Sequence, residues 1–435
     1  MPETSLAFFL SYLLGLFFAL TVRPLYGLYT YIAVFYLDPP SRWWGEALPN
    51  VRWSLVAALV TAAAIAFHSS SLRPGPPVFR SPIARILLLY TLWMWIQLLW
   101  VESPYHLEGT ILFTKYVVLF SLIYLLIDNK EKLLNFGLAH VLGCLFFGWL
   151  AYQAPPGGRL EGVGGPGVDN ANTLAMHLGT GLMFASFLLL AFRGWKRWAV
   201  LISIPFIING IFQTGTRGAM VGLAVGGIAT VFLKPKRFNR IYYTLAALAV
   251  LGAVSFAGQA VYERLATLTA AVDEDVEWDS SATSRIAIVE AQIEMFKDHP
   301  LGVGHEGTTY LSRSYIDEQW LATNSGDRAS HNTVMSVLVN QGIPGIVLLL
   351  ILLFHLRNVF RQLKEMDAQG LPDELGLART MLAGALVTAL ASGMFAQYLI
   401  AEVQIWCLAL VAVVWRLATE WQDASGPPED VTRPV

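Results

Sequence analysis

Residues 330–354 read SHNTVMSVLVNQGIPGIVLLLILLF. A histidine and an asparagine stand at the mouth of a long apolar run, so a titratable ring sits where the chain leaves water for hydrocarbon. A bilayer span needs about 20 predominantly apolar residues. Outward from this stretch the chain supplies such runs repeatedly, with its charges gathered between them. Thirteen can be marked, from Leu6–Thr21 to Val403–Leu417; Leu25–Tyr36 is short and reads as tilted or re-entrant. Of the 435 residues 55% are hydrophobic and 14% charged, which excludes an ordinary soluble domain. The fold class expected is an all-α, polytopic integral membrane protein of about 12 transmembrane helices.

The first run, SLAFFLSYLLGLFFALTV, has no basic region before it and no clear small-residue cleavage site, so it reads as a retained helix rather than a removed leader. Lysine and arginine resist translocation, and FRGWKRW, KPKRFNR, LRNVFRQLK and SSSLRPGPPVFRSPIAR fall on one side of an alternating count. That side is read as cytoplasm. The opposite, periplasmic side receives VESPYHLEG, PPGGRLEGVGGPGVDNAN, QTGTRG and residues 261–330. The division expected is therefore 1–260 as N-terminal transmembrane helices, 261–330 as one large periplasmic loop, 331–420 as C-terminal transmembrane helices and 421–435 as a cytoplasmic tail. The large loop carries 13 Asp or Glu against 5 Lys or Arg, and its length marks it as a functional loop. Within it, SATSRIAIVEAQIEMFKDHP has apolar residues at helical spacing and stops before a proline, which predicts an amphipathic helix beside the membrane.

There is no P-loop, dinucleotide fingerprint, H-E-x-x-H or G-x-S-x-G pattern. Cys144 and Cys407 lie in apolar runs, where neither a disulfide framework nor a metal-type spacing is evident. The acidic stretch VDEDVEWD lacks an accompanying histidine and reads as a solvated loop. No metal site, no cofactor and no nucleic-acid partner is expected. Tryptophans in SRWWGEALPNVRW and RGWKRW read as anchors at the headgroup level.

Chemistry is then sought among charged groups on the side that the positive-inside rule depletes of them. Arg217, in TGTRGAMVGLAVGG, begins a run between glycines and can clamp phosphate oxygens with a bidentate fork or snorkel to headgroups. Arg285, near the start of the loop helix, can hold a second phosphate oxygen or pair with an acid such as Glu290. Lys115 interrupts ILFTKYVVLF roughly a turn inside the boundary, where a charge usually has a partner or a purpose. Arg159 heads a glycine-rich loop that also offers Asp169, Asn170, Asn172 and His177, suited to glycan hydroxyls or phosphate, or to a flexible connection. His331 can accept a hydroxyl proton near neutral pH, as lysine and arginine cannot readily do. His305, in GVGHEG, competes for that role, and Asn332 stands beside it as a possible glycan contact.

Taken in order, TGTRGAMVGLAVGG, SRIAIVEAQIEMFKDHPLGVGHEG and SHNTVMSVLVNQGIPGIVLLLILL resemble the O-antigen ligase and polymerase family. VRPLYGLYTYIAVFYLDPP and VDNANTLAMHL resemble a branch of O-glycosylation ligases associated with exosortase systems. The resemblance implies a C-type membrane glycosyltransferase of the bacterial inner membrane. It implies inverting, metal-independent transfer of a glycan from undecaprenyl pyrophosphate to an acceptor hydroxyl on a glycolipid such as lipid A core, on another glycan or on a protein. Carried onto this chain, it makes His331 the base and Arg217 and Arg285 holders of the pyrophosphate, with Lys115 and Arg159 added from the reading above. A polymerase of the same mechanism is the runner-up, and a lipid-linked glycan transporter is a rival of a different class.

Overall fold

The computed structural model describes residues 2–71, 75–155, 159–165, 167–244, 246–247, 280–321, 326–397 and 401–425. Among them the fold is all α-helix with short 3-10 turns, as composition and periodicity predict. Before the large loop the described residues include α1 (Glu3–Thr21), α2 (Leu25–Leu37), α3 (Trp53–Phe67), α4 (Pro82–Gln97), α5 (His106–Leu126), α6 (Lys130–Gln153), α7 (Ala171–Ala191), α8 (Gly194–Thr214) and α9 (Arg217–Leu233). Among the described residues of the loop are α10 (Ser280–Asp298) and α11 (Gly307–Tyr315). Three follow: α12 (Thr333–Ala368), α13 (Asp373–Ser392) and α14 (Glu402–Ser425).

Eight of the described helices are long and apolar enough to cross a bilayer, or nine when α9 and the segment Lys236–Thr244, bent by 114°, are taken as one broken span. The expectation of about 12 counts α2, α3 and α4, which at 13, 15 and 16 residues fall short of a full span. Most of the run expected at Ile241–Ala260 lies outside the described residues, as do VDEDVEWD, the end of Ala378–Ile400 and the tail from 426 onward. Helix α14 continues to Ser425, past the boundary placed at 420.

Asparagine side chains start three of the helices. Asn129 caps α6, Asn170 caps α7 and Asn332 caps α12, each accepting hydrogen bonds from amides two or three residues on. Helix α9 lies along α13 because glycines repeat on one of its faces: a Cβ on Gly222 would sit 2.6 Å from Thr388 O, and one on Gly226 would sit 2.8 Å from Gly384 O. Small residues at a spacing of four let the two backbones touch, the usual basis of tight packing where lipid removes the hydrophobic drive. Two buried guanidinium groups close one end of the bundle. Arg379 donates to Leu363 O and Leu233 O, and Arg416 donates to Tyr124 O and Ile127 O, so cations meet the carbonyls that end α9 and α5.

Trp44 and Trp53, expected as interfacial anchors, are buried instead, packed with Phe8 and Tyr12 in a satellite core of α1–α3. Trp195 and Trp198 remain exposed, in keeping with an anchor role.

At the other end the loop docks into a break in α12. Gly342 has φ 61° and ψ −158°, which interrupts the helix. The interruption frees carbonyls, and Val303 N and Gly304 N donate to Val339 O and Asn340 O at 3.0 and 2.8 Å, while Ile343 N donates to Pro300 O at 2.9 Å. Gln97 donates to Leu301 O and Asn340 O, both at 3.0 Å, and Trp93 Nε1 donates to Gln341 O at 2.8 Å. The stretches LGVG and NQGIPG are thus halves of one joint that brings the loop down onto the bundle.

Candidate active site

Beside this joint lies a cavity of about 1070 Å³. Its walls come from α2, α3, α5, the segment leading into α7, residues 329–331 and the connection from α13 to α14. The lower walls are apolar and periodic. Leu55, Ala58, Leu59 and Ala62 recur at helical spacing on α3, and Leu112, Tyr116 and Leu119 do so on α5, opposite them. Leu59 is 61% exposed, so this groove opens sideways out of the bundle. The upper walls are polar: His331, Asn172, Asn170, Glu306 and Gln397 face the same space.

His331 is held by its neighbours along the chain. Asn332 caps α12, Thr333 N donates to Gly393 O at 2.7 Å, and Thr333 Oγ1 donates to Ala396 O at 2.8 Å. Burial pushes the His331 imidazole down to about 4, helped by the positive charges of Arg328, Arg285 and Arg159. Without an anion present the ring is therefore neutral at pH 7, with a free lone pair for a proton.

The other residues singled out from the sequence are placed as follows. Lys115 lines the cavity but stands more than two turns along α5, deeper than the single turn expected, because the helix already begins at His106. Arg159 donates to Asn172 Oδ1 at 2.7 Å and pairs with Glu161 at 3.8 Å, which fixes it at the rim. The Arg285 guanidinium lies 6.0 Å from the Phe395 ring. Gly218, next to Arg217, abuts the same phenylalanine, 2.6 Å from its Cβ if a Cβ were added. Arg285 thus lies against Phe395, next to the wall formed by Ala396 and Gln397, and neither Arg217 nor Arg285 is among the lining residues. Asn332 spends its side chain on the helix cap.

Two histidines do not reach the cavity. His177 is 1% exposed and bonded to Tyr36 inside the bundle. His305 stacks on His106 with ring centroids 5.5 Å apart, its amide donates to His106 Nδ1 at 3.2 Å, and its ring lies over Gly109. Burial pushes His305 down to about 3, so it serves as a packed, neutral anchor for the loop. Neither is placed to touch a glycan.

Two wall residues and one charge near His331 were not foreseen. Glu306 lines the cavity at φ 54°, a left-handed conformation rare for a side chain of its kind, and accepts from Thr309 Oγ1 at 2.9 Å and Gln397 Nε2 at 3.4 Å. Glu402 accepts from Tyr31 at 2.9 Å and Trp406 at 3.1 Å. Arg328 donates its amide to Ser312 Oγ at 3.1 Å and adds to the positive field at His331. The adjacent Glu306–Gly307 pair, following Gly302 and Gly304, was the available signal for the first; nothing in the local sequence marks the other two.

The fold and this cavity define an all-α polytopic membrane protein with an imidazole and several guanidinium groups gathered at one end. Residues 203–350 match the family model Wzy_C, described as O-antigen ligase. The matched stretch contains Arg217, Arg285, His305, His331 and Asn332, and it supports the O-antigen ligase family assignment and a ligase or polymerase type of membrane enzyme. Comparison with curated proteins finds no match.

Proposed function

We propose that the protein is a glycan ligase of the bacterial inner membrane, taking a glycan from undecaprenyl pyrophosphate and passing it to an acceptor hydroxyl on the periplasmic face. The observation that carries this reading is a single cavity with an apolar, laterally open floor and a polar roof holding His331. A polyprenyl chain fits the stripe of Leu55, Leu59, Leu112 and Leu119, and a sugar diphosphate fits the roof. Arg379 and Arg416 lie at the opposite end, and the basic segments, by the positive-inside rule, support reading that end as the cytoplasmic one.

The reaction is written with these groups. The acceptor oxygen attacks the anomeric carbon from the face opposite the diphosphate, and His331 takes its proton. The C–O bond to the diphosphate breaks, its electron pair stays on the leaving oxygen, and the anomeric configuration inverts. The Arg159 guanidinium at the rim can hold the diphosphate, and Arg285 and Arg217, from outside the lining, add their positive field to the charge that develops there, an effect that is strongest where water is scarce. The diphosphate also acts on the base: its negative charge offsets the arginines that depress His331, so the bound donor raises the affinity of the imidazole for a proton.

The deciding experiment uses purified protein in liposomes with undecaprenyl-pyrophosphate glycan and one acceptor at a time: lipid A core, a second lipid-linked glycan, or a protein. A new glycoside with release of undecaprenyl pyrophosphate supports transfer, and the productive acceptor separates ligase from polymerase. Movement of intact donor across the bilayer without cleavage would overturn the reading in favour of transport.

A further inference from the structure

Behind the cavity, buried between α2, α6 and α7, stands a second polar cluster that the transfer chemistry does not use. His140 and Cys144 are four residues apart on α6, so one helix face presents both. His177 of α7 faces them, and His140, Cys144 and His177 each offer a donor atom within 4.8 Å of the other two. All three are at most 1% exposed. The Tyr36 hydroxyl stands among them, 2.5 Å from His140 Nδ1, 2.9 Å from His177 Nε2 and 3.8 Å from Cys144 Sγ.

We propose that His140, Cys144 and His177, with Tyr36 as fourth donor, form a binding site for a thiophilic d10 cation, zinc(II) or copper(I). The donor set is right for that class: two imidazoles, one thiol and one phenol in a four-donor group. The ring that matters is already in the ligating tautomer. Thr180 Oγ1 donates its proton to His177 O at 2.7 Å, so at 3.3 Å it can only accept from His140 Nε2–H, which leaves the lone pair on Nδ1, toward the cluster. His177 must bind through Nε2 and carry its proton on Nδ1. That Nδ1 has no partner among the described atoms, and His177 shares with Glu402 the lining of a pocket of about 10 Å³. One water there would accept the proton and pass a hydrogen bond to the carboxylate, the outer-shell support that ligating histidines need.

Charge balances in both cases. Zinc(II) displaces the protons of Cys144 and Tyr36 and leaves a neutral site; copper(I) displaces the Cys144 proton alone and leaves Tyr36 protonated. Neutrality matters here because Phe35, Phe147, Phe184 and Trp406 surround the cluster. The consequence is mechanical: α2, which packs mainly with α1 and α3 and more lightly with α6, is fastened to α6 and α7, and α2 supplies Tyr31, Val34 and Phe35 to the cavity wall, with Asp38 just past its end. The rival account is a metal-free hydrogen-bond chain, His177 to Tyr36 to His140 to Thr180.

Full-length protein carrying a histidine-free affinity tag, purified without chelator, should contain about one zinc or copper per chain by elemental analysis. X-ray absorption at the edge of the metal found should show one sulfur at about 2.3 Å with nitrogen or oxygen neighbours. Cys144→Ser, which keeps the size and hydrogen bonding of the thiol, should lose that sulfur and most of the metal. Should that variant not fold, wild-type protein decides alone: chelation should lower its melting midpoint and the metal should restore it. Less than a tenth of an equivalent of either metal in wild-type protein, even after incubation with zinc(II) or copper(I), would overturn the site. Metal content and sulfur shell unchanged by Cys144→Ser would do the same.

Discussion

Gly302 and Gly342 meet backbone to backbone: a Cβ built on Gly302 would lie 2.7 Å from the Gly342 nitrogen, and one built on Gly342 would lie 2.6 Å from the Gly302 nitrogen. Both have positive φ, 82° and 61°. The first belongs to the loop and the second to the break in α12, so this contact seats the loop against the membrane helices and sets where Glu306 and His331 stand.

Alanine at Gly342 should therefore be damaging in two ways. The left-handed backbone costs about 1–3 kcal/mol for a residue with a side chain, and the methyl group adds a clash with Pro300 O, 2.4 Å away. Thermal unfolding in detergent should show a lower midpoint for Gly342→Ala, and for Gly302→Ala likewise. An unshifted midpoint in both would mean that the joint does not hold the loop.

His331→Ala should slow turnover by about 10²–10⁴ with donor affinity nearly kept, the range expected for a lost general base. The pH profile tests the same residue with a sign. An imidazole depressed to about 4 is active when neutral, so kcat/KM should stay flat below the ordinary imidazole range and fall only as pH drops toward 4. Removing a cation must relax that depression, so Arg328→Ala should move the acid limb to higher pH. A limb that stays fixed in Arg328→Ala would leave the arginine without electrostatic contact with the base.

Arg159→Ala should weaken donor binding by about 10-fold or more for a lost charge-assisted hydrogen bond, and Arg217→Ala and Arg285→Ala, which remove positive charge from outside the lining, should weaken it by less. Lysine should rescue poorly because it lacks the planar fork. Titration of lipid-linked donor reads this directly, and unaltered affinity in all three would remove the arginines from the diphosphate site.

The apolar groove gives a prediction about chain length. Ala62→Phe should fill the space between α3 and α5, raising KM for a long polyprenyl carrier while leaving a short-chain analogue almost unaffected. Equal effects on both carriers would place the lipid elsewhere.

Much of this was legible in the sequence, for physical reasons that also explain what was not. Apolar runs such as Ile111–Ile127 announce helices because hydrocarbon admits little else, whereas Asn170 and Asn332, read as polar loop and glycan contacts, turn out to cap helices with their own side chains. His331 drew attention because a titratable ring at a span boundary is costly without a use, and it lines the cavity. Glu402 and Arg328 escaped because their roles arise from segments far apart in the chain: Glu402 meets Tyr31 across 371 positions. The His140–Cys144–His177 group escaped for the same reason, with Tyr36 joining from a third segment. His305 misled, since a histidine in a glycine-rich turn looks exposed until Gly109 is seen to receive its ring.

Glu306 separates stability from function. Its φ of 54° is unfavourable for glutamate, and loop anchors on either side of it, His305 on His106 and Gly307 N on Asn340 Oδ1 at 3.0 Å, hold it there. Glycine adopts that backbone without strain, so Glu306→Gly should raise stability by up to about 1 kcal/mol, reduced by what the more flexible unfolded chain takes back. The same change removes a carboxylate from the cavity wall beside Gln397, where glycan hydroxyls are proposed to lie. Activity should fall while the melting midpoint holds or rises, and Glu306→Gln, which keeps the strained backbone and the hydrogen-bonding shape, should fall less. Full activity in Glu306→Gly together with a lower midpoint would reverse the assignment and make Glu306 a structural residue held by Thr309 and Gln397.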